Sequence, residues 1–157
     1  MISGESHYLW GEEYRLEVIE CTGKHHVEVC GSVLKLYVRP NTKAENKLIV
    51  LHDDYREQLM AKSLPMFDYW EKVLGVHASS IHIRRMKTRW GSCNPSTGKI
   101  LLNLELAKKP HKCLDYVVLH ELLHLIERYH NKHFKSLLDR HMPDWRRRQS
   151  ELNEMIL

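Results

Sequence analysis

The sequence predicts an α+β domain in which antiparallel N-terminal strands and a small mixed sheet pack on a long helix and on a second helix buried in the core. Three patterns predict it. Apolar and polar residues alternate with period two across residues 14–38, and apolar residues recur at helical spacing from 45 to 74. The run Tyr116-Val117-Val118-Leu119, with Leu122, Leu123, Leu125 and Ile126, makes a third segment apolar almost all round, as a core helix is. At 157 residues the chain is most simply one domain, 1–157, with a β meander over 1–40 and the remaining core over 45–157. That length buries roughly two thirds of the unfolded surface without help from disulfides.

The first strands rest on Tyr14-Arg15-Leu16-Glu17-Val18-Ile19-Glu20, Val27-Glu28-Val29 and Val33-Leu34-Lys35-Leu36-Tyr37-Val38, with turns at Gly23 and Gly31. Successive strand residues point to opposite faces, so this alternation buries one face of a sheet. Pro40-Asn41-Thr42 ends the strands. Leu48, Leu51, Tyr55, Leu59 and Lys62, then Phe67, Trp70, Val73 and Leu74, mark a helix that Pro65 should kink or split and Gly75 should close. A second sheet follows, with strands at Ile81-His82-Ile83-Arg84, through Arg89 and Trp90, and over 99–103. Asn94-Pro95-Ser96-Thr97-Gly98 supplies the turn residues between its last two strands. Pro110 breaks the chain before the apolar helix, expected from His111 to Arg128. Phe134, Leu137 and Leu138 define a short helix after it, and Trp145, Leu152 and Ile156 another beyond Pro143.

The apolar helix contains His120-Glu121-Leu122-Leu123-His124. Residues four apart share one helix face, so both imidazoles can reach a single Zn²⁺, and Glu121 beside the first is placed as a base. The setting matters because an unpartnered polar group in an apolar stretch costs a few kcal/mol, which a metal would offset. The plainer alternative is two core histidines bonded to carbonyls and a Glu121 facing solvent. A third ligand is less easily placed. His130 lies six residues after His124, about 240° round and about 9 Å along a continuous helix, so the helix must end first. Asn131 tolerates the left-handed conformation that ends helices, and a turn near Arg128 or Tyr129 would return His130 to the metal. Glu127 and His133 are its rivals.

Beyond that motif, the chain resembles the YgjP-like metallopeptidase family, which is related to the SprT-type zinc proteases. The resemblance rests on Arg84-Arg85-Met86-Lys87-Thr88-Arg89-Trp90-Gly91-Ser92-Cys93, Ile100-Leu101-Leu102-Asn103, Asp115-Tyr116-Val117-Val118-Leu119-His120-Glu121-Leu122-Leu123-His124, His130-Asn131 with Phe134, and Met142-Pro143-Asp144-Trp145. Tyr8-Leu9-Trp10-Gly11 matches more loosely. It implies a minimal zincin-like domain, a zinc metallopeptidase with one ion on His120, His124 and His130, and Glu121 as general base. It also implies that an extended peptide or protein substrate adds to a sheet edge near 89–93 or 100–103. Arg89, Trp90, Ser92 and Asn103 are the substrate-binding candidates.

Asp139 or Asp144 is expected to accept a hydrogen bond from the free ring nitrogen of a ligating imidazole, and Asp144 is also a candidate helix cap. Arg89, Tyr129 and His133 are candidates to stabilise the negative charge that develops on the carbonyl oxygen under attack. Four cysteines without a Cys-x-x-Cys pair argue against a zinc ribbon or redox dithiol, and predict reduced thiols. The N-terminus shows no basic segment followed by an apolar run, and no stretch approaches the roughly 20 apolar residues of a membrane span, so a cytoplasmic protein is expected. The net charge of +4 is only mildly basic. Two clusters, residues 84–89 and Arg146-Arg147-Arg148, could meet phosphates. The first would hold phosphates in one alternative to a peptidase, a nucleotide pyrophosphatase acting on a phosphoanhydride; the other alternative is a non-catalytic binding module with a structural zinc, a partner of nucleic-acid enzymes.

Overall fold

The computed structural model describes residues 1–154; Ile156, assigned above to the last helix, lies outside them. β1 (Ser6–Leu9) and β2 (Glu12–Glu20) form an antiparallel hairpin whose tip, Trp10-Gly11, has φ values of 52° and 81°. Positive φ at both tip residues matches the twist of the flanking strands. Gly11 answers a second demand, since a Cβ there would come within 2.8 Å of Pro110 Cγ. The tip is seated by its own amides, Trp10 donating to the Ala107 carbonyl at 2.7 Å and Gly11 to that of Lys108 at 2.9 Å.

β4 (Val33–Val38) lies between β2 and β3 (His26–Cys30), parallel to β2 and antiparallel to β3. The expected antiparallel meander is therefore corrected to a mixed sheet ordered β1-β2-β4-β3. Burial explains the order. Leu34, Leu36 and Val38 of β4 are at most 1% exposed, whereas Glu28, Val29 and Cys30 of β3 are exposed. The strand with the continuous apolar face takes the centre and the poorer one the edge.

α1 (Ala44–Leu74) is one helix, closed by Gly75 in the left-handed conformation at φ 70°. Pro65 does not split it. The proline is exposed, on the side where helix carbonyls tilt toward water, while Leu59, Ser63, Phe67 and Trp70 on either side of it are buried. α1 packs on the second sheet's helix layer and on β3 and β4.

The second sheet runs β5-β7-β6, with β5 (Ser80–Arg84) parallel and β6 (Gly91–Asn94) antiparallel to the central β7 (Lys99–Asn103). Arg89 and Trp90 precede β6 instead of lying in it. The cause is Asn103, 4% exposed, whose Nδ2 donates to the carbonyls of Met86 at 2.9 Å and Arg89 at 2.8 Å. Its Oδ1 accepts from the amides of Met86 and Glu105, at 3.3 and 3.1 Å. Those bonds hold residues 85–90 as a loop.

A 3₁₀ turn (Leu104–Lys108) leads to α2 (His111–Leu123), α3 (Lys132–His141) and α4 (Trp145–Glu154). α2 lies against α1, α4, α3 and β6, which is why it tolerates no polar face. Trp70 Nε1 donates to Asp115 Oδ1 at 2.8 Å across the α1–α2 contact. No described helix is long and apolar enough to cross a membrane.

Candidate active site

α2 ends five residues before the expected Arg128. After Leu123 the backbone tightens: Leu125 and Ile126 donate to the carbonyls three residues back, at 3.0 and 2.9 Å. Asn131, expected to stop this helix, instead starts the next one. Its φ is −96° and its Oδ1 accepts from Phe134 N at 3.0 Å, capping α3. Between these two events the chain reverses, and His130 Nε2 comes to 3.1 Å from His120 Nε2 and 3.0 Å from His124 Nε2.

The three imidazoles fit a metal. Ligands at about 2.05 Å around a tetrahedral ion stand about 3.3 Å apart, close to the spacing found here. His124 Nδ1 lies 3.1 Å from the Glu127 carbonyl, which can only accept, so the proton is on Nδ1 and Nε2 presents its lone pair. His120 Nδ1 lies 3.3 Å from Tyr116 Oη. Burial, with the neighbouring imidazoles, pushes His120 down to about 3, and burial also lowers His124. Both stay neutral, the form that binds a cation. Phe134, 1% exposed, forms the floor, its ring centroid 5.0, 4.7 and 5.0 Å from those of His120, His124 and His130.

The rivals are turned elsewhere. The Glu127 carboxylate accepts from Asn131 Nδ2 at 2.6 Å and meets His133 Nδ1 at 3.4 Å. Among the described residues no fourth His, Cys, Asp or Glu joins the three histidines. Neither Asp139 nor Asp144 supports a ligand: Asp139 holds Trp145 Nε1 and Arg146 Nη1, each at 2.8 Å, and Asp144 holds Arg148 Nε at 3.1 Å. Tyr116 and the Glu127 carbonyl take that place.

Glu121 is 6% exposed, so the solvent-facing alternative is excluded. Among the described residues its carboxylate has no hydrogen-bond partner. Burial pushes the carboxyl up to about 8, with the Arg89 charge opposing. The side chain lies against β6, where a Cβ on Gly91 would meet Glu121 Oε2 at 3.0 Å and the Leu101 carbonyl at 3.0 Å. Glycine is what lets the edge strand pass this close. The cleft above, about 950 Å³, is lined by Arg89, Trp90, Ser92, His120, Glu121 and His130 among others. Asn103 is not in it, its amide being used by the 85–90 loop, and β7 is central, so the edge is β6 and not 100–103. Trp90 is tied to α4 through Nε1 to Asn153 Oδ1 at 3.0 Å.

Residues 1–155 match the model of the YgjP-like family, described as a metallopeptidase domain. The chain belongs to this family. A YgjP-like chain is a metallopeptidase, and thus a hydrolase. Among solved structures it is similar to the metallopeptidase zymogen abylysin of Pyrococcus abyssi, with a TM-score of 0.51 at 19% identity over 56% of this chain and 89% of that one. It is also similar to the metallopeptidase zymogen jannalysin of Methanocaldococcus jannaschii, with a TM-score of 0.52 at 20% identity over 59% of this chain and 88% of that one. At these identities the likeness is one of fold. No curated protein matches the chain.

Sequence reasoning missed Tyr116 and Phe134 in this YgjP-like site. Tyr116 was findable, since it stands four residues before His120 and so one turn away on the same face. Phe134 was not, because only the reversal at 124–130 carries α3 beneath the histidines. Tyr116→Phe keeps the ring but removes the oxygen beside His120 Nδ1. Such partners are typically worth about 10–100-fold in metal affinity. A loss of that size is expected in competitive metal titration, with Tm of the metal-free protein little changed; unaltered affinity would show that Tyr116 only packs.

Proposed function

We propose that this protein is a zinc-dependent peptidase in which His120, His124 and His130 hold one Zn²⁺, Glu121 is the general base, and an extended peptide adds to the free edge of β6. The observation that carries the reading is Glu121 itself: a carboxylate only 6% exposed, lining the cleft without a hydrogen-bond partner among the described residues, next in the chain to the first of three clustered imidazoles. Burial disfavours its charged form and so raises its affinity for a proton, as a general base requires. Zinc in such a site acts as a Lewis acid that polarises a peptide carbonyl and brings the pKa of water near neutrality.

The chain's own groups then divide the work. Glu121 takes a proton from the attacking water and returns it to the amine nitrogen as the C–N bond breaks. β6 offers main-chain groups to an incoming strand, the pairing that fixes an extended peptide in register. Arg89, Trp90 and Ser92 line the cleft beside that edge. Of Arg89, Tyr129 and His133, only Arg89 does so, which makes it the candidate for stabilising the negative charge that develops on the carbonyl oxygen.

Nothing in the structure favours the alternatives. Of the basic run 84–89 only Arg89 lines the cleft, and Arg85 pairs with Glu105 at 3.5 Å. Arg146 and Arg148 are engaged by Asp139 and Asp144. A structural zinc needs four protein ligands. We read residues 1–157 as one metallopeptidase domain, since a single buried cluster runs from Leu9 to Leu152. Its four free cysteines suit a reducing compartment such as the cytoplasm.

The test is elemental analysis of protein purified without added metal, paired with hydrolysis of an unfolded protein substrate. About one zinc per chain is expected, with cleavage abolished by a chelator and restored by zinc. Protein that holds no zinc and takes none up on titration would sink the reading.

A further inference from the structure

The cleft is unevenly charged. Arg89, Lys99 and Arg128 line it, and among the described residues Glu121 is the one acidic group that does. Other cations of the chain are paired, as in Lys108 with Glu105 at 2.6 Å, Lys112 with Glu151 at 2.9 Å and Arg148 with Asp144 at 3.1 Å. Those lining the cleft form no salt bridge among the described residues. Arg128 Nη2 reaches only Ser96 Oγ, at 3.4 Å, and the adjacent Glu127 is taken by Asn131 and His133.

Two of the three gather at one end. Lys99 stands opposite Asn94 in the β6–β7 ladder, and Arg128 reaches Ser96 in the turn that follows β6. Gly91, at the other end of β6, is the residue against Glu121. At about 3.3 Å per strand residue, the span from Gly91 to Asn94 is about 10 Å. A peptide lying along β6 with its scissile bond at Glu121 thus brings a side chain about three positions away to Lys99 and Arg128. At the opposite end the cleft meets Arg89 beside Trp90, with the uncharged Gln149, Leu152 and Asn153.

We propose that the site selects peptides with an acidic side chain about three residues from the scissile bond, recognised by Lys99 and Arg128. This rests on the reading of β6 as the substrate edge and of His120, Glu121, His124 and His130 as a peptidase centre. Both cations are exposed, so each contact is worth at most about fivefold and falls with salt. Two give about tenfold.

The experiment uses a peptide cleaved at a mapped bond, made with Glu, Gln or Lys three residues to either side of it, and the wild-type and Lys99→Glu/Arg128→Glu proteins. The wild type is expected to favour Glu over Lys about tenfold in kcat/KM on one side, mostly through KM, less so at high salt. The double variant should invert the ranking, which mere loss of fold cannot do; bound metal and Tm report its integrity. Equal rates for the three peptides, or an acidic preference that survives in the double variant, would overturn the proposal.

Binding of the same peptides to the Glu121→Gln protein, by fluorescence anisotropy, separates this proposal from the peptidase reading. Preferential binding of the Glu peptide, lost in the charge-reversed background, supports it even if no peptide is hydrolysed. The absence of both cleavage and charge-dependent binding would overturn it. Displacement of the Glu peptide by a single-stranded oligonucleotide at equal charge concentration would also overturn it, and assign the cations to phosphates.

Discussion

Glu121→Gln lowers kcat/KM for peptide hydrolysis by about 10²–10⁴-fold and leaves bound metal near the wild-type level; this is the expected result for a base whose geometry is kept and whose basicity is removed. Glutamine has the size and shape of glutamate and fits the same slot against Gly91, where a Cβ added to the glycine would already meet Glu121 Oε2 at 3.0 Å. Stability moves the other way. Burial pushes the Glu121 carboxyl from the ordinary 4.5 up to about 8, so in metal-free protein the folded state binds its proton more tightly than the unfolded state does. The resulting penalty on folding is absent below about 4.5, grows as pH rises, and is complete above about 8. Glutamine does not ionise and escapes it. Metal-stripped Glu121→Gln should therefore have a Tm equal to wild type in acid and higher at pH 8 or above. Near wild-type turnover would remove Glu121 from catalysis, and loss of metal would mean that it is a ligand.

His130→Ala is expected to lose its metal on purification and, with it, essentially all hydrolysis. Removing a hydrogen-bond partner of a ligand costs about 10–100-fold in affinity, so removing a ligand itself should cost more than about 100-fold. The fold should survive. His130 is exposed in the segment between α2 and α3, and the packing beneath it comes from Phe134, which alanine at 130 leaves in place. Elemental analysis together with far-UV circular dichroism decides the matter. Full metal content in His130→Ala would return Glu127 or His133 to consideration, despite the bonds that now occupy both.

The elements were legible in the sequence because each buries a face whose period shows in the residue types. Leu16, Leu34, Leu36 and Val38 alternate as a strand requires, and the apolar surround of His120 and Glu121 marked a core helix. Order and ends were less legible. Period two says which residues point inward but not which strand is the neighbour, so the parallel β2–β4 pair went unseen. The early end of α2 and the loop at 85–90 follow from hydrogen bonds that Asn131 and Asn103 make within the folded chain, and an isolated asparagine does not announce its partner.

By itself the sequence determined the pair of imidazoles on one helix face and the carboxylate beside the first, because helical spacing is a local property of adjacent residues. It also determined that they would be buried, because nothing around them offers a polar face. Only the tertiary structure decided that His130 and neither rival completes the cluster, that Asn103 serves the protein's own backbone, and that β6 is the edge passing over Glu121. Those outcomes depend on where a chain reversal ends and which strand takes the centre of a sheet. Both are settled by competition among distant groups for the same burial and the same hydrogen bonds, and that competition has no signature within a single stretch of residues.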